Sequence, residues 1–224
     1  MLTDATRPAR LVDLSHEVAD GLVTYKGLPA PVVCDYLTRA ASRALYAPGT
    51  EFHIGRIDMV ANTGTYLDAP FHRYADGADV AQLDLAQLAD LDTLVLTHKG
   101  ARAIDVDLFT PHELRGRAVL VHTGWAAHWN TEQYFSGHPY LTRAAAEHLA
   151  TCGARLVGID SLNIDDTADL ARPAHSILLR AGIPIVEHLC NLAALPAEGC
   201  RFFAVPVKVK GMGTFPVRAF ALVA

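Results

Sequence analysis

Asn62-Thr-Gly-Thr-Tyr-Leu-Asp-Ala-Pro-Phe-His72 follows an apolar run, Phe52 to Val60, whose Ile54, Ile57 and Val60 read as a strand. Within eleven residues it gathers an acid, a histidine, two threonine hydroxyls, an amide, a glycine and a proline. In an extended backbone alternate side chains share a face. Asn62, Tyr66, Asp68 and His72 then line one wall. Gly64 and Pro70 interrupt ideal strand geometry, so the parity is a guide only.

Working outward, strands recur on both sides of this stretch. Arg10–Val18 alternates as a strand, and Pro31–Leu37 reads as an edge strand. Leucines 83, 85, 88 and 91 predict a short amphipathic helix over Val80–Leu91, followed by a strand at Thr93–Thr97. Thr110-Pro111 has the form of a helix start, with an N-cap hydroxyl and proline at the first helical position. Ala118–His122 is a buried-type strand, Leu141–Cys152 a helix with Thr142 as N-cap and Gly153 as stop, and Arg155–Asp160 a strand. That order is a βαβ crossover and calls for parallel pairing. A short helix at Ala174–Ala181, a strand at Ile183–Val186, and an antiparallel hairpin of Arg201–Lys210 with Phe215–Val223 complete the chain. The expected fold class is α/β, a mixed sheet with flanking helices and a small antiparallel layer, as one domain over residues 1–224.

Composition narrows the function. The 224 residues are 51% hydrophobic and 19% charged, ample for a sizeable core. A formal charge of −5 and a pI near 6.1 argue against nucleic-acid and membrane-surface partners. No apolar stretch is long enough to span a bilayer, and the polar opening Met1–Arg7 lacks a signal-peptide core. Cys34, Cys152, Cys190 and Cys200 lie far apart in no ligand spacing, as reduced thiols of a cytoplasmic protein do.

Polar residues collect where apolar runs end: His122 after Ala-Val-Leu-Val, Asp160 after Leu-Val-Gly-Ile, Glu187 after Ile-Pro-Ile-Val. Ligands of α/β sheets bind beyond such strand ends, and a charge buried there needs a partner. Asp68, His72, His175 and Glu187 together would form a site whose oxygen and imidazole donors suit zinc, manganese or iron. Each also has an ordinary structural role open to it. Asp68 before Ala-Pro is a turn-former, His175 a surface or capping residue, and Asp160, Asp165 and Asp166 satisfy loop N–H groups.

The opening stretch resembles the His-x-Gly-Thr-His-x-Asp-x-Pro-x-His signature of the metal-dependent cyclase family, which includes bacterial kynurenine formamidase and isatin hydrolase. Leu11-Val-Asp-Leu-Ser-His16, Val121–Trp125, Val157–Asp160, Ile164-Asp165 followed by His175, Val186-Glu187, Ala204–Lys208 and Pro216–Ala219 fall in family order. The resemblance implies a compact α/β fold, a homodimer or homotetramer, and hydrolysis of a small-molecule amide, formamide, cyclic imide or lactone with divalent metal. Carried over by position, Asp68, His175 and Glu187 correspond to metal ligands and His72 to the general acid/base. Tyr25 stands where the family often has an aromatic residue beside the substrate. Trp125 and Phe71 are candidate pocket walls.

Two signature histidines are absent, and Asn62 and Tyr66 stand in their places. Neutral Asn is a poor zinc ligand, and a phenol deprotonates only near pH 10 unless a metal assists. The remaining three ligands suffice for a single catalytic zinc or manganese. The expected chemistry is one metal activating water, His72 relaying the proton, and Tyr66 or Asn62 donating to the oxyanion. A metal-free acid–base enzyme and a non-catalytic small-molecule binding protein on the same scaffold stay open as alternatives.

Overall fold

A computed structural model describes residues 9–223. Its strands are β1 (Arg10–Asp13), β2 (Val32–Leu37), β3 (Ile54–Asp58), β4 (Tyr66–Asp68), β5 (Leu91–Thr97), β6 (Ala103–Ile104), β7 (Ala118–His122), β8 (Tyr140–Leu141), β9 (Leu156–Ile159), β10 (Ile185–Glu187), β11 (Cys200–Phe203), β12 (Thr214–Pro216) and β13 (Phe220–Val223). The helices are α1 (Arg39–Ser42), α2 (Arg143–Cys152) and α3 (Pro173–Arg180). The polar opening Met1–Arg7 lies outside the described residues.

Nine strands form one mixed sheet in the order β1-β13-β11-β5-β7-β9-β10-β4-β12. Its centre, β5-β7-β9-β10, is parallel, and the strands flanking it on both sides pair antiparallel. The expected crossover β7-α2-β9 is present. Both faces of the centre are buried, so its strands are continuous apolar runs rather than alternating ones. Val119, Val121, Val157 and Ile159 pack under α2 and α3 with Ala145, Leu149 and Leu178. Leu120 and Leu156 point the other way, into a cluster that joins Leu67 and Val186 to Phe202 and Ala221. Strands from opposite ends of the sheet meet there because the sheet curls, as accumulated strand twist demands.

Helix α2 obeys its sequence signals. The Thr142 hydroxyl accepts the Ala145 N–H at 3.2 Å, and Gly153 closes the helix in the left-handed region at φ 76°. Other expectations fail for local reasons. Val80–Leu91 contains a single 3₁₀ turn, Leu85–Gln87, and Leu91 already belongs to β5. Asp79 and Asp84 take the N–H groups of Ala81, Gln82 and Ala86, so side chains compete with helical bonding. After Thr110-Pro111 the Glu113 carboxylate accepts from Arg115 N–H, and β7 begins before a helix can propagate.

The C-terminal hairpin is redistributed. Cys200–Phe203 pairs with Phe220–Val223, but the residues between them leave the pair, and β12 joins β4 at the opposite edge. An edge is where Pro216, which has no N–H, costs least. The edge strand expected at Pro31–Leu37 instead pairs with β3 in a separate two-stranded arm. Among the described residues no helix is long and apolar enough to cross a membrane.

Candidate metal centre and pocket

Strand β4 puts the decisive stretch between β10 and β12, with Tyr66 opposite Glu187 and Asp68 opposite Ile185 and Thr214. Parity holds for Tyr66 and Asp68, but the chain does not stay extended. Residues Pro70–His72 wind into a 3₁₀ turn, which swings His72 back until its Nε2 lies 3.9 Å from Asp68 Oδ1. The turn needs Gly213 beside it. A Cβ there would lie 2.6 Å from the His72 backbone, nearer than real Cβ atoms come. Gly64 upstream takes φ 67°, a conformation open to glycine.

Helix α3 delivers His175 in its first turn. Asp165 accepts the backbone N–H groups of Ala174 and His175 at 2.6 and 3.1 Å, and its Oδ2 lies 2.7 Å from His175 Nδ1. That contact keeps a proton on Nδ1 and turns Nε2 inward, 3.6 Å from Asp68 Oδ2 and 3.7 Å from Glu187 Oε1. Ligand atoms of Asp68, His175 and Glu187 all lie within 4.8 Å of one another, and all three residues are buried.

Their electrostatics are those of a charge cluster short of positive charge. Burial pushes Glu187 up to about 7, with Asp68 adding to the rise against the pull of His175. Burial lowers the His175 ring, but Glu187, Asp165 and Asp68 outweigh it and lift the ring to about 10. Both Asp68 oxygens are buried without a hydrogen-bond partner. An orphaned buried carboxylate is costly, about 1–3 kcal/mol or more for a charged group. A divalent cation between two carboxylates and a neutral imidazole Nε2 would remove that cost. This donor set fits zinc or manganese.

His175 and Glu187 line a cavity of about 500 Å³ together with Tyr25, Leu28 and His72, and Asp68 is buried next to them. The family model named Cyclase matches residues 12–166. Kynurenine formamidase of Geobacillus thermodenitrificans is 32% identical over 168 residues, covering 75% of this chain and 78% of that protein. The chain belongs to the cyclase family. Kynurenine formamidase of Delftia acidovorans is 28% identical over 177 residues, covering 79% and 83%. Isatin hydrolase A from Labrenzia aggregata, bound to benzyl benzoate, shares the fold with a TM-score of 0.82 at 21% identity, covering 96% of this chain and 94% of that one.

Against the family signature, the geometry shows what replaces the missing histidines. Tyr66 OH donates to Glu187 Oε2 at 2.7 Å, while Ile164 N–H donates to Oε1 at 2.6 Å and Asn163 reaches Oε2 at 3.4 Å. Burial, with the charges of Glu187 and Asp68, holds the Tyr66 phenol well above its ordinary pKa. It is therefore a protonated donor, and in this structure its hydroxyl donates to Glu187. Asn62 lines the cavity, its Oδ1 accepting from Thr214 Oγ1 at 3.1 Å. The side chains that stand in place of the two signature histidines thus hydrogen-bond with protein partners, Asn62 with Thr214 and Tyr66 with Glu187.

Tyr25 also lines the cavity, but Phe71 and Trp125 do not. The 3₁₀ turn that brings His72 inward sends Phe71 to a separate cleft with Gly77 and Lys210. Trp125 donates its indole N–H to the Tyr134 carbonyl at 3.0 Å and packs against His128. Sequence reasoning missed Asn163, whose Leu-Asn-Ile context carries no signal, and treated Asp165 only as a loop acid. Its distance of ten residues from His175 was the available sign of a supporting contact.

Proposed function

We propose that the protein hydrolyses a C–N amide bond of a small molecule, using one divalent cation, zinc or manganese, held by Asp68, His175 and Glu187. The observation that carries this reading is the fully buried Asp68 carboxylate, unpartnered beside His175 Nε2 and Glu187, both of which line the cavity. Membership of the cyclase family and the kynurenine formamidases among its relatives support the amide as the bond cleaved.

The cation would supply a Lewis acid for the carbonyl and lower the pKa of water toward neutrality. The chain's own groups do the rest. Asp165 fixes the His175 tautomer, and Tyr66 with Ile164 N–H fixes Glu187. His72, which lines the cavity with its side chain 37% exposed, can carry a proton between Nε2 and the departing nitrogen. Asn62 offers its amide N–H₂ to developing negative charge while Thr214 holds its carbonyl end. Tyr25 and Leu28 supply apolar wall, and the cavity suits a ligand of small-molecule size.

The reading extends to a homo-oligomer. The arm β2–β3 exposes Val32, Val33, Tyr36, Ile54 and Ile57 by 46–74%, large apolar side chains whose exposure fits a protein contact.

Elemental analysis of tag-free protein tests the metal, with one equivalent expected and a sharp loss in Glu187→Gln. No bound metal at any stoichiometry overturns the assignment. Turnover of formanilide should vanish on chelation and return with zinc or manganese. Activity that survives exhaustive chelation removes the cation from the mechanism.

A further inference from the structure

Arg172 has a backbone that its side chain does not explain. It sits in the left-handed region, φ 46° and ψ 61°, as the N-cap of α3, and it precedes Pro173. Non-glycine residues rarely adopt that region, and a following proline favours extended backbone instead. Glycine or asparagine would relieve the strain. Arginine offers nothing to the cap, since it makes no side-chain capping bond. A strained residue held by its surroundings points to function in its side chain.

That side chain lines the cavity beside Tyr25, Asn163, His175 and Glu187. Nη1 makes two long hydrogen bonds, to Asn163 Oδ1 and the Asp166 carbonyl, both 3.4 Å, and the guanidinium lies beside the Tyr25 hydroxyl. Among the described residues no carboxylate lies within 4.0 Å of it, whereas Arg180 at the other end of α3 pairs with Asp76 at 3.6 Å. Arg73 lines the same cavity, its Nε donating to Ser176 Oγ of α3 at 3.3 Å, and it too has no carboxylate partner among the described residues. A cation held by Asp68, His175 and Glu187 would balance Asp68 and Glu187 and leave both guanidinium charges facing the cavity.

We infer that Arg172 is a specificity-determining residue that selects amide substrates bearing a carboxylate, with Arg73 in the same cavity favouring the same charge. The assignment rests on the amide-hydrolase reading, and it goes beyond it by naming the recognised group and the residue that recognises it. A guanidinium without a carboxylate partner in the protein is matched to a substrate carboxylate, which it can grip through two parallel bonds.

The test compares N-formylaminobenzoates with their methyl esters. The wild type should show kcat/KM at least tenfold higher for the acids, about 1.4 kcal/mol. Arg172→Gln should collapse that ratio toward one through KM for the acids, and Arg172→Lys should restore part of it. A ratio near one in the wild type, or a ratio unchanged in Arg172→Gln, overturns the inference; the second is what a purely structural or charge-balancing role gives. Calorimetric binding of benzoate against benzamide, to wild type and Arg172→Gln, reads recognition without turnover. Benzoate binding that weakens at least tenfold in the variant supports the assignment even if no amide is cleaved, in which case only the hydrolase reading falls. Benzoate binding that the variant does not change, or that is absent, overturns it.

Discussion

At the scale of single residues the site depends on who holds whom. Asp165 touches no candidate ligand atom facing the cavity, yet it fixes His175 through three contacts, one to the ring and two to the backbone. Asp165→Asn keeps the shape and a cap acceptor but loses the charged partner of Nδ1. Zinc affinity, read by competition with a chelator, should fall about 10–100-fold, the usual effect of losing such a supporting contact. An unchanged affinity would mean that α3 alone orients the ring. Tyr66→Phe removes a donor from a carboxylate that is fully buried, leaving Oε2 with only the long contact to Asn163. The expected cost in denaturant unfolding of the cation-free protein is about 1–3 kcal/mol.

At the scale of elements the 3₁₀ turn after β4 and its neighbour β12 act as one unit. Ala69 N–H donates to the Gly213 carbonyl at 2.7 Å, and Gly213 leaves no room for a Cβ against the His72 backbone. Gly213→Ala must therefore push the turn away. Because the obstacle is backbone rather than the tip of a flexible side chain, relief moves His72 itself. Formanilide turnover should drop more than tenfold with the far-ultraviolet dichroism unchanged. Full activity would show that the turn tolerates displacement. The same unit explains why extended parity holds at Tyr66 and Asp68, whereas His72 reaches the site through a turn and not along a strand. Period-two alternation ends where Pro70 starts the turn.

For the whole molecule, charge and exposed apolar surface set the testable behaviour. His16 stacks on Trp129 with centroids 4.0 Å apart, and burial lowers its pKa to about 4. An unfolded chain binds that proton from about pH 6.5 downward, and the folded one does not. Stability is thus independent of this group above pH 6.5 and is lost as pH falls from there toward 4. His16→Phe keeps the stacking and removes the titration, so urea midpoints between pH 6.5 and 4 should fall less steeply than in the wild type. An identical slope would place the acid sensitivity elsewhere. In the arm, Tyr36→Lys with Ile57→Lys should convert an oligomer to monomer by light scattering. A wild-type monomer would show that the arm has another use.

How much of this was legible follows from the range of the interactions involved. Local rules are encoded locally: Thr142 and Gly153 bound α2 because a cap and a left-handed stop act within one turn, and the apolar runs of β7 and β9 announce burial on both faces. The eleven-residue motif and the resemblance of the chain to a family named Asp68, His175 and Glu187 before any contact between them was visible. By contrast, the break-up of the C-terminal hairpin and the commitment of Tyr66 to Glu187 were settled by pairings between residues far apart in sequence. The amino-acid order determined which chemical groups exist and which segments can be helix or strand. Only the tertiary structure decided which groups share a desolvated volume. There a carboxylate without a partner and a guanidinium without a counter-charge become costly enough to call for a ligand.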